Sequence, residues 1–146
     1  ILRAITFMMY KRGEFRENYN SDIDDFIGKS MRFINEMGLA QISNIEQTFI
    51  KSMKNSFEIL GSNGFRASSY YDSERKRPIS MALFETLTFL MAHDEVIKDK
   101  SKTKLQIQEL FDDENFTDSI TSPVDSSVKV NRRFEYMDKV LKELKR

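Results

Sequence analysis

Between Leu39 and Leu60, apolar side chains recur at Ile42, Ile45, Phe49, Met53, Phe57 and Leu60, in steps of three and four. That spacing is the period of an α-helix and of no other regular structure. It recurs near the C-terminus, where Val130, Phe134, Met137, Leu141 and Leu144 fall in one sector of roughly 80° around a helix axis. No alternating run exceeds four residues, and no Asn-Gly or Asp-Gly pair signals a hairpin. The expected fold is therefore all-α: one helical bundle domain of five or six helices over residues 1–146. A chain of this length suits one domain with a sizeable core.

Composition removes several classes of function. The 23 Lys+Arg balance 23 Asp+Glu, which argues against a strongly basic nucleic-acid-binding protein, though not against local patches. With no cysteine, the chain can make no disulfide framework, thiolate zinc site or cysteine nucleophile. One histidine, His93, is too few for a multi-histidine metal site. The apolar stretch Ile1–Met9 is interrupted by Arg3 and followed by Lys11 and Arg12. It is far shorter than the roughly 20 apolar residues of a spanning helix, and it lacks the flanks of a signal peptide. No membrane association and a cytoplasmic location are expected. Starting at Ile1 without an initiator methionine, this stretch reads as a helix cut from a longer protein.

The remaining elements follow from caps and breakers. Ser21 with Asp24 resembles a capping box, opening a helix through Ile23, Phe26, Ile27, Met31 and Ile34 up to Gly38. Gly61 suits a left-handed cap closing the helix that begins at Leu39. Residues 61–77, rich in serine, glycine and charge, read as the longest loop. After it, either Pro78 occupies the first turn of the next helix or Ser80 caps it. Residues 80–93, with Met81, Ala82, Leu83, Phe84, Leu87, Phe89, Leu90 and Met91, are apolar almost all round and should form the central buried helix. Asp94–Lys104 reads as a charged hinge before a helix containing Leu105, Ile107, Leu110 and Phe111. Residues 117–127 read as a loop, with Ser126 or Ser127 capping the last helix.

Chemistry-bearing candidates are few. His93 falls at the end of the apolar helix, where a cation favours the negative end of the dipole; a structural role is preferred there to a catalytic one. Asp72-Ser73-Glu74-Arg75-Lys76 contains an acid-x-Lys pair of the kind metal nucleases use. Its carboxylates crowd into one loop with no strand to hold them apart, so it reads as solvated charge. Glu109, Asp112, Asp113, Glu114 and Asp118 do not have EF-hand spacing and read as an acidic surface. Gly61-Ser62-Asn63-Gly64 lacks the lysine of a phosphate loop. Neither a metal nor a cofactor is expected. Residues 129–146 carry seven bases (Lys129, Arg132, Arg133, Lys139, Lys142, Lys145, Arg146) against three acids. Arg66, Arg75, Lys76 and Arg77 form a second group near Tyr70 and Tyr71. Arginine interleaved with aromatic side chains can engage phosphates and stacked bases. Arg66, Arg75, Lys76, Arg77, Lys129, Arg132 and Arg133 are accordingly the candidate DNA contacts, with a solvated surface as the competing reading.

Arg77-Pro78-Ile79-Ser80-Met81-Ala82-Leu83-Phe84-Glu85 resembles the "RxINKALFE" segment of the GmrSD restriction endonuclease N-terminal domain family. Leu60-Gly61 and Phe65-Arg66 resemble the preceding "FG…FR" element. Leu2-Arg3-Ala4-Ile5-Thr6-Phe7 is similar to the family's "LRFLAF" helix. Asp22 to Met31 is similar to its "slddFLnkyM" helix, and Val130-Asn131-Arg132-Arg133-Phe134 to its closing "vxxRF". The order and spacing agree over essentially the whole chain. The resemblance implies a protein that restricts modified or foreign DNA using NTP hydrolysis. It also implies a ParB/sulfiredoxin-like nucleotide-processing region bearing a "DGQQR"-type motif. Nothing in this chain matches that motif, so the chain resembles the helical C-terminal portion alone and inherits no catalytic residue. Its expected role is non-catalytic support of the upstream region of the same protein, with DNA contact as an addition. The alternative is a protein-interaction or oligomerisation module, including a homo-oligomer, whose Met- and Phe-rich surfaces bury against a partner. Packing accounts for Leu83, Phe84 and Phe134 as core and for Ile79 as the start of a buried helix. It does not account for Arg66 and Arg133, for which pairing with carboxylates inside the domain is preferred.

Overall fold

The computed structural model describes residues 1–71 and 74–146, and the fold is all-α. Among the described residues there are eight helices: α1 Leu2–Lys11, α2 Ile23–Asn35, α3 Leu39–Leu60, α4 Met81–Met91, α5 Glu95–Lys98, α6 Lys100–Leu110, α7 Glu114–Ser119 and α8 Ser127–Lys145. A 3-10 turn, Ala67–Ser69, lies between α3 and α4. The two helices beyond the expected six are α5 and α7, of four and six residues. None of the helices is long and apolar enough to cross a membrane.

The apolar helix α4 lies at the centre, against α1, α3 and α8. Its Leu83, Leu87, Leu90 and Met91 are wholly buried, as a helix apolar on every side must be. Ser80, not Pro78, starts it: the Ser80 hydroxyl accepts the Leu83 N–H at 3.2 Å. Ile79 lies outside the helix and is 56% exposed, so it does not begin a buried element. Phe84 is half-buried, edge-on to Phe65 at 5.0 Å. The α8 stripe is buried as its period requires, with Val130, Phe134 and Met137 in the core. Ser126 caps this helix through the Lys129 N–H. Phe7 of α1 joins the pieces, its ring 5.4 Å from Tyr19, 5.3 Å from Phe26 and 5.6 Å from Phe134.

Several boundaries differ from those expected. Asp22, not Ser21, caps α2, accepting the Asp25 N–H at 3.0 Å. Ser21 instead takes a positive φ of 72° and accepts the Ser127 N–H at 2.7 Å, tying the start of α2 to the start of α8. The expected hinge 94–104 is helical because Asp99 accepts the Lys102 N–H and restarts the chain as α6. Residues 117–119 likewise belong to α7, which begins because Asp113 accepts the Asn115 N–H. In both cases an aspartate that reads as solvated charge satisfies an orphan helix donor. Gly61 ends α3 with φ 75° and ψ −169°. This conformation lies beyond the left-handed well and is open essentially to glycine alone.

The largest difference lies on α3. Its buried residues are Ile45, Ser52, Asn55, Ser56 and Ile59, a face rotated by roughly 80° from the apolar stripe at about 100° per residue. Small polar side chains let α3 approach the α4 backbone closely. Ser52 Oγ donates to the Thr88 carbonyl at 2.7 Å, and Asn55 Nδ2 to the Met91 carbonyl at 2.8 Å. Phe57 is left 67% exposed, with Leu39, Ile42 and Ile50 exposed beside it.

Candidate functional site

The seven candidate DNA contacts occupy three different environments. Lys129 Nζ lies 3.3 Å from Asp118 Oδ1 and also donates to the carbonyls of Thr121 and Ser122. Arg132 Nη1 reaches the other oxygen of Asp118 at 3.1 Å. Both cations are engaged in closing the loop between α7 and α8, so Asp118 is an internal counter-ion for them.

Arg66, Arg75, Lys76 and Arg77 belong to the long loop. Arg66 Nη1 donates to the Arg77 carbonyl at 2.6 Å, and the Arg77 N–H donates to Ser68 Oγ at 3.1 Å. These bonds draw the two ends of the loop together and present the side chains of Arg75, Lys76 and Arg77 to solvent. Tyr70 is not a free stacking platform: its ring lies flat on Phe111 at 4.1 Å and its hydroxyl donates to the Gly64 carbonyl. Burial pushes its phenol up from the usual value. Tyr71 is partly exposed and stands edge-on to Phe111. Of the segment that contains the acid-x-Lys pair, Asp72 and Ser73 lie outside the described residues, while Glu74 and Lys76 are exposed.

Arg133 has no surface to offer DNA, being 0% exposed. Its Nη2 lies 3.1 Å from Glu85 Oε2, and its Nη1 donates to the carbonyls of Val124 at 2.7 Å and Ser119 at 3.2 Å. The opposite oxygen of Glu85 accepts from Arg3 Nε. Arg3 Nη2 in turn lies 2.6 Å from Asp125 Oδ1, and the Tyr19 hydroxyl donates to the Asp125 carbonyl. Two guanidiniums and two carboxylates thus alternate from the partly exposed Asp125 and Arg3 to the buried Glu85 and Arg133, fastening α1, α4, α8 and the loop before α8.

The electrostatics follow from burial opposed by pairing. Burial pushes the Glu85 carboxyl up, while Arg3 and Arg133 pull it down. Burial pulls the Arg133 guanidinium down against the opposing field of Glu85. Arg3 also feels burial, yet its bonds to Asp125 and Glu85 raise it overall. Burial is the main cause that pushes the Tyr19 phenol up to about 12. Removing one partner of such a pair strands a charge without solvent, so the network is strongly destabilised by single truncations. Chemically it is closed: both Glu85 oxygens are engaged, Glu85 is solvent-inaccessible, and guanidinium does not give up its proton in proteins.

This network is the part of the molecule that sequence reasoning did not assemble, although a signal for it exists. Glu85 is the only charged residue in the helix Met81–Met91, and a carboxylate inside an all-round apolar helix has to find a cation. The preference for internal pairing of Arg133 points the same way. Among the described residues Arg66 meets no carboxylate; it bonds to the Arg77 carbonyl, and its buried Nε finds no partner there.

His93 closes α4 through its Nδ1, 3.0 Å from the Phe89 carbonyl, with its ring edge-on to Phe89. In the acidic run Asp113 caps α7 and Asp118 is the counter-ion of Lys129 and Arg132, and among the described residues no three His, Asp or Glu side chains gather as a metal site. Comparisons with known protein families, curated proteins and solved structures give no match.

Proposed function

We propose that this chain is the helical, non-catalytic accessory portion of a bacterial DNA-restriction or phage-defence protein of the GmrSD-like kind, supporting an NTP-dependent nucleotide-processing region elsewhere in the parent protein. The observation that carries this reading is where the charged residues of the resembling segments go. Arg3, Glu85 and Arg133 come from three of those segments and meet in one buried network. Three charged residues of the resembling segments thus help to fasten the bundle, which supports reading those segments as structural.

DNA contact, on this reading, falls to Lys76 and Arg77 with their loop, and the parent protein works in the cytoplasm. Two phosphate contacts give a slope of about −1.8 in log affinity against log salt. Fluorescence anisotropy with duplex DNA at low salt measures it. Lys76→Ala with Arg77→Ala should flatten the slope, and an absence of binding at low salt removes DNA from the proposal. The family assignment is tested by reading the parent open reading frame for a DGQQR-type motif upstream of Ile1.

A second reading, a protein-interaction or oligomerisation module, is favoured by one specific observation: the exposed apolar side chains of α3. Several large apolar side chains exposed along one helix of a folded domain mark a contact surface.

A further inference from the structure

Helix α3 has two faces, and the bundle uses only one of them. The face against α4 is built from Ile45, Ser52, Asn55, Ser56 and Ile59. The other carries Leu39, Ile42, Ile50, Met53 and Phe57, of which Leu39 is 87% and Phe57 is 67% exposed. Twenty-two residues at about 1.5 Å each make a rod roughly 33 Å long, enough for a helix-on-helix interface.

One feature of this uncovered face decides what fits it. Glu46 interrupts the apolar row, four residues before Ile50, and Lys54 follows four residues after Ile50. Both are exposed, and neither has an ion-pair partner among the described residues. Laid against itself in antiparallel fashion about Ile50, α3 therefore brings Glu46 of one copy to Lys54 of the other, twice over. The same operation places Phe57 over the turn Ile42–Glu46 of its mate. There an apolar groove of about 200 Å³ is lined by Ile5, Ile34, Ile42, Ile45, Glu46 and Phe49. Antiparallel alignment also sets opposite ends of the two helix dipoles side by side.

We propose that α3 is the interface of a two-fold symmetric homodimer, with Ile50 beside the symmetry axis and reciprocal Glu46–Lys54 ion pairs flanking it. Such an interface is isologous: each copy presents the same patch and completes the other. The inference takes up the interaction-module reading and names its partner as a second copy of this chain. It does not depend on the GmrSD-like assignment.

Sedimentation velocity on the 146-residue chain, together with charge reversal, tests it. The wild-type chain should sediment as a reversible dimer. Glu46→Lys sets lysine against lysine at both pairs and should weaken the dimer by roughly tenfold or more in Kd. Glu46→Lys combined with Lys54→Glu restores the opposite charges and should return the Kd to within about threefold of wild type. Because the chain has no native cysteine, Ile50→Cys should oxidise to a covalent dimer, whereas Val128→Cys, exposed on α8, should not at the same concentration. All four substitutions are at exposed positions, and circular dichroism is the check that each variant is folded. A monomer up to about 500 μM (weaker than roughly −4.5 kcal/mol) overturns the homodimer. So does a double reversal no better than the single one. Capture of the same face by another segment of a longer parent protein, with the isolated chain monomeric, overturns the homodimer but upholds the interaction-module reading.

Discussion

Arg133 shows most plainly how one side chain is specified by its surroundings. Its fork serves Glu85 and the two carbonyls of Ser119 and Val124 at once, a geometry that a lysine ammonium on a flexible stem cannot reproduce. Arg133→Lys should cost about 2 kcal/mol in urea denaturation, the scale of a lost hydrogen bond to a charged group. A second residue-scale prediction concerns Asp113, which accepts from the Tyr136 hydroxyl at 2.7 Å and from the Asn115 N–H. The Tyr136 bond first, and the backbone bond second, hold its carboxyl below the ordinary range. Because the folded-state value is the lower one, the stability this group contributes is present above the ordinary value near about 4. It is lost as pH falls through the depressed value. Tyr136→Phe should move the Asp113 midpoint up toward the ordinary range in a carboxyl NMR titration; an unchanged midpoint contradicts the assignment. At this scale the sequence was partly legible. A lone glutamate in an apolar helix announces a buried pair, but nothing local says that its partners lie 82 and 48 residues away.

At the scale of elements, period located the helices and capping chemistry corrected their ends. The α4 and α8 faces are where their apolar residues put them, and the charged groups buried with them, Glu85 and Arg133, satisfy each other across the two helices. On α3 polar side chains compete for the core. Ser52 and Asn55 find acceptors in α4 carbonyls, and this close approach turns the apolar stripe partly outward. Aspartates 99 and 113 read as solvated charge because a capping role depends on the backbone conformation around them. Two variants separate the two faces of α3. Asn55→Ala leaves the Met91 carbonyl at the end of α4 short of a donor and should cost about 1–2 kcal/mol. Phe57→Ala, on the uncovered face, should change the unfolding free energy of the dilute monomer by less than about 0.5 kcal/mol. Equal losses in urea titrations of the two variants contradict this division.

At the scale of the whole molecule, the described residues form a set of rods held by aromatic packing around Phe7 and around Phe111 and by a charged network through Glu85. The core supplies the bulk of the burial, and the network sets which rods meet. Helices α1, α4 and α8 and the loop before α8 converge on it from distant parts of the chain. The most direct measurement is equilibrium urea unfolding of Glu85→Gln, followed by both circular dichroism and tyrosine fluorescence. The substitution keeps shape and removes one charge, leaving the buried Arg133 guanidinium uncompensated. A loss of about 3–5 kcal/mol is expected, with the two probes still coincident. A variant within about 0.5 kcal/mol of wild type would contradict the claim that this network fastens the fold.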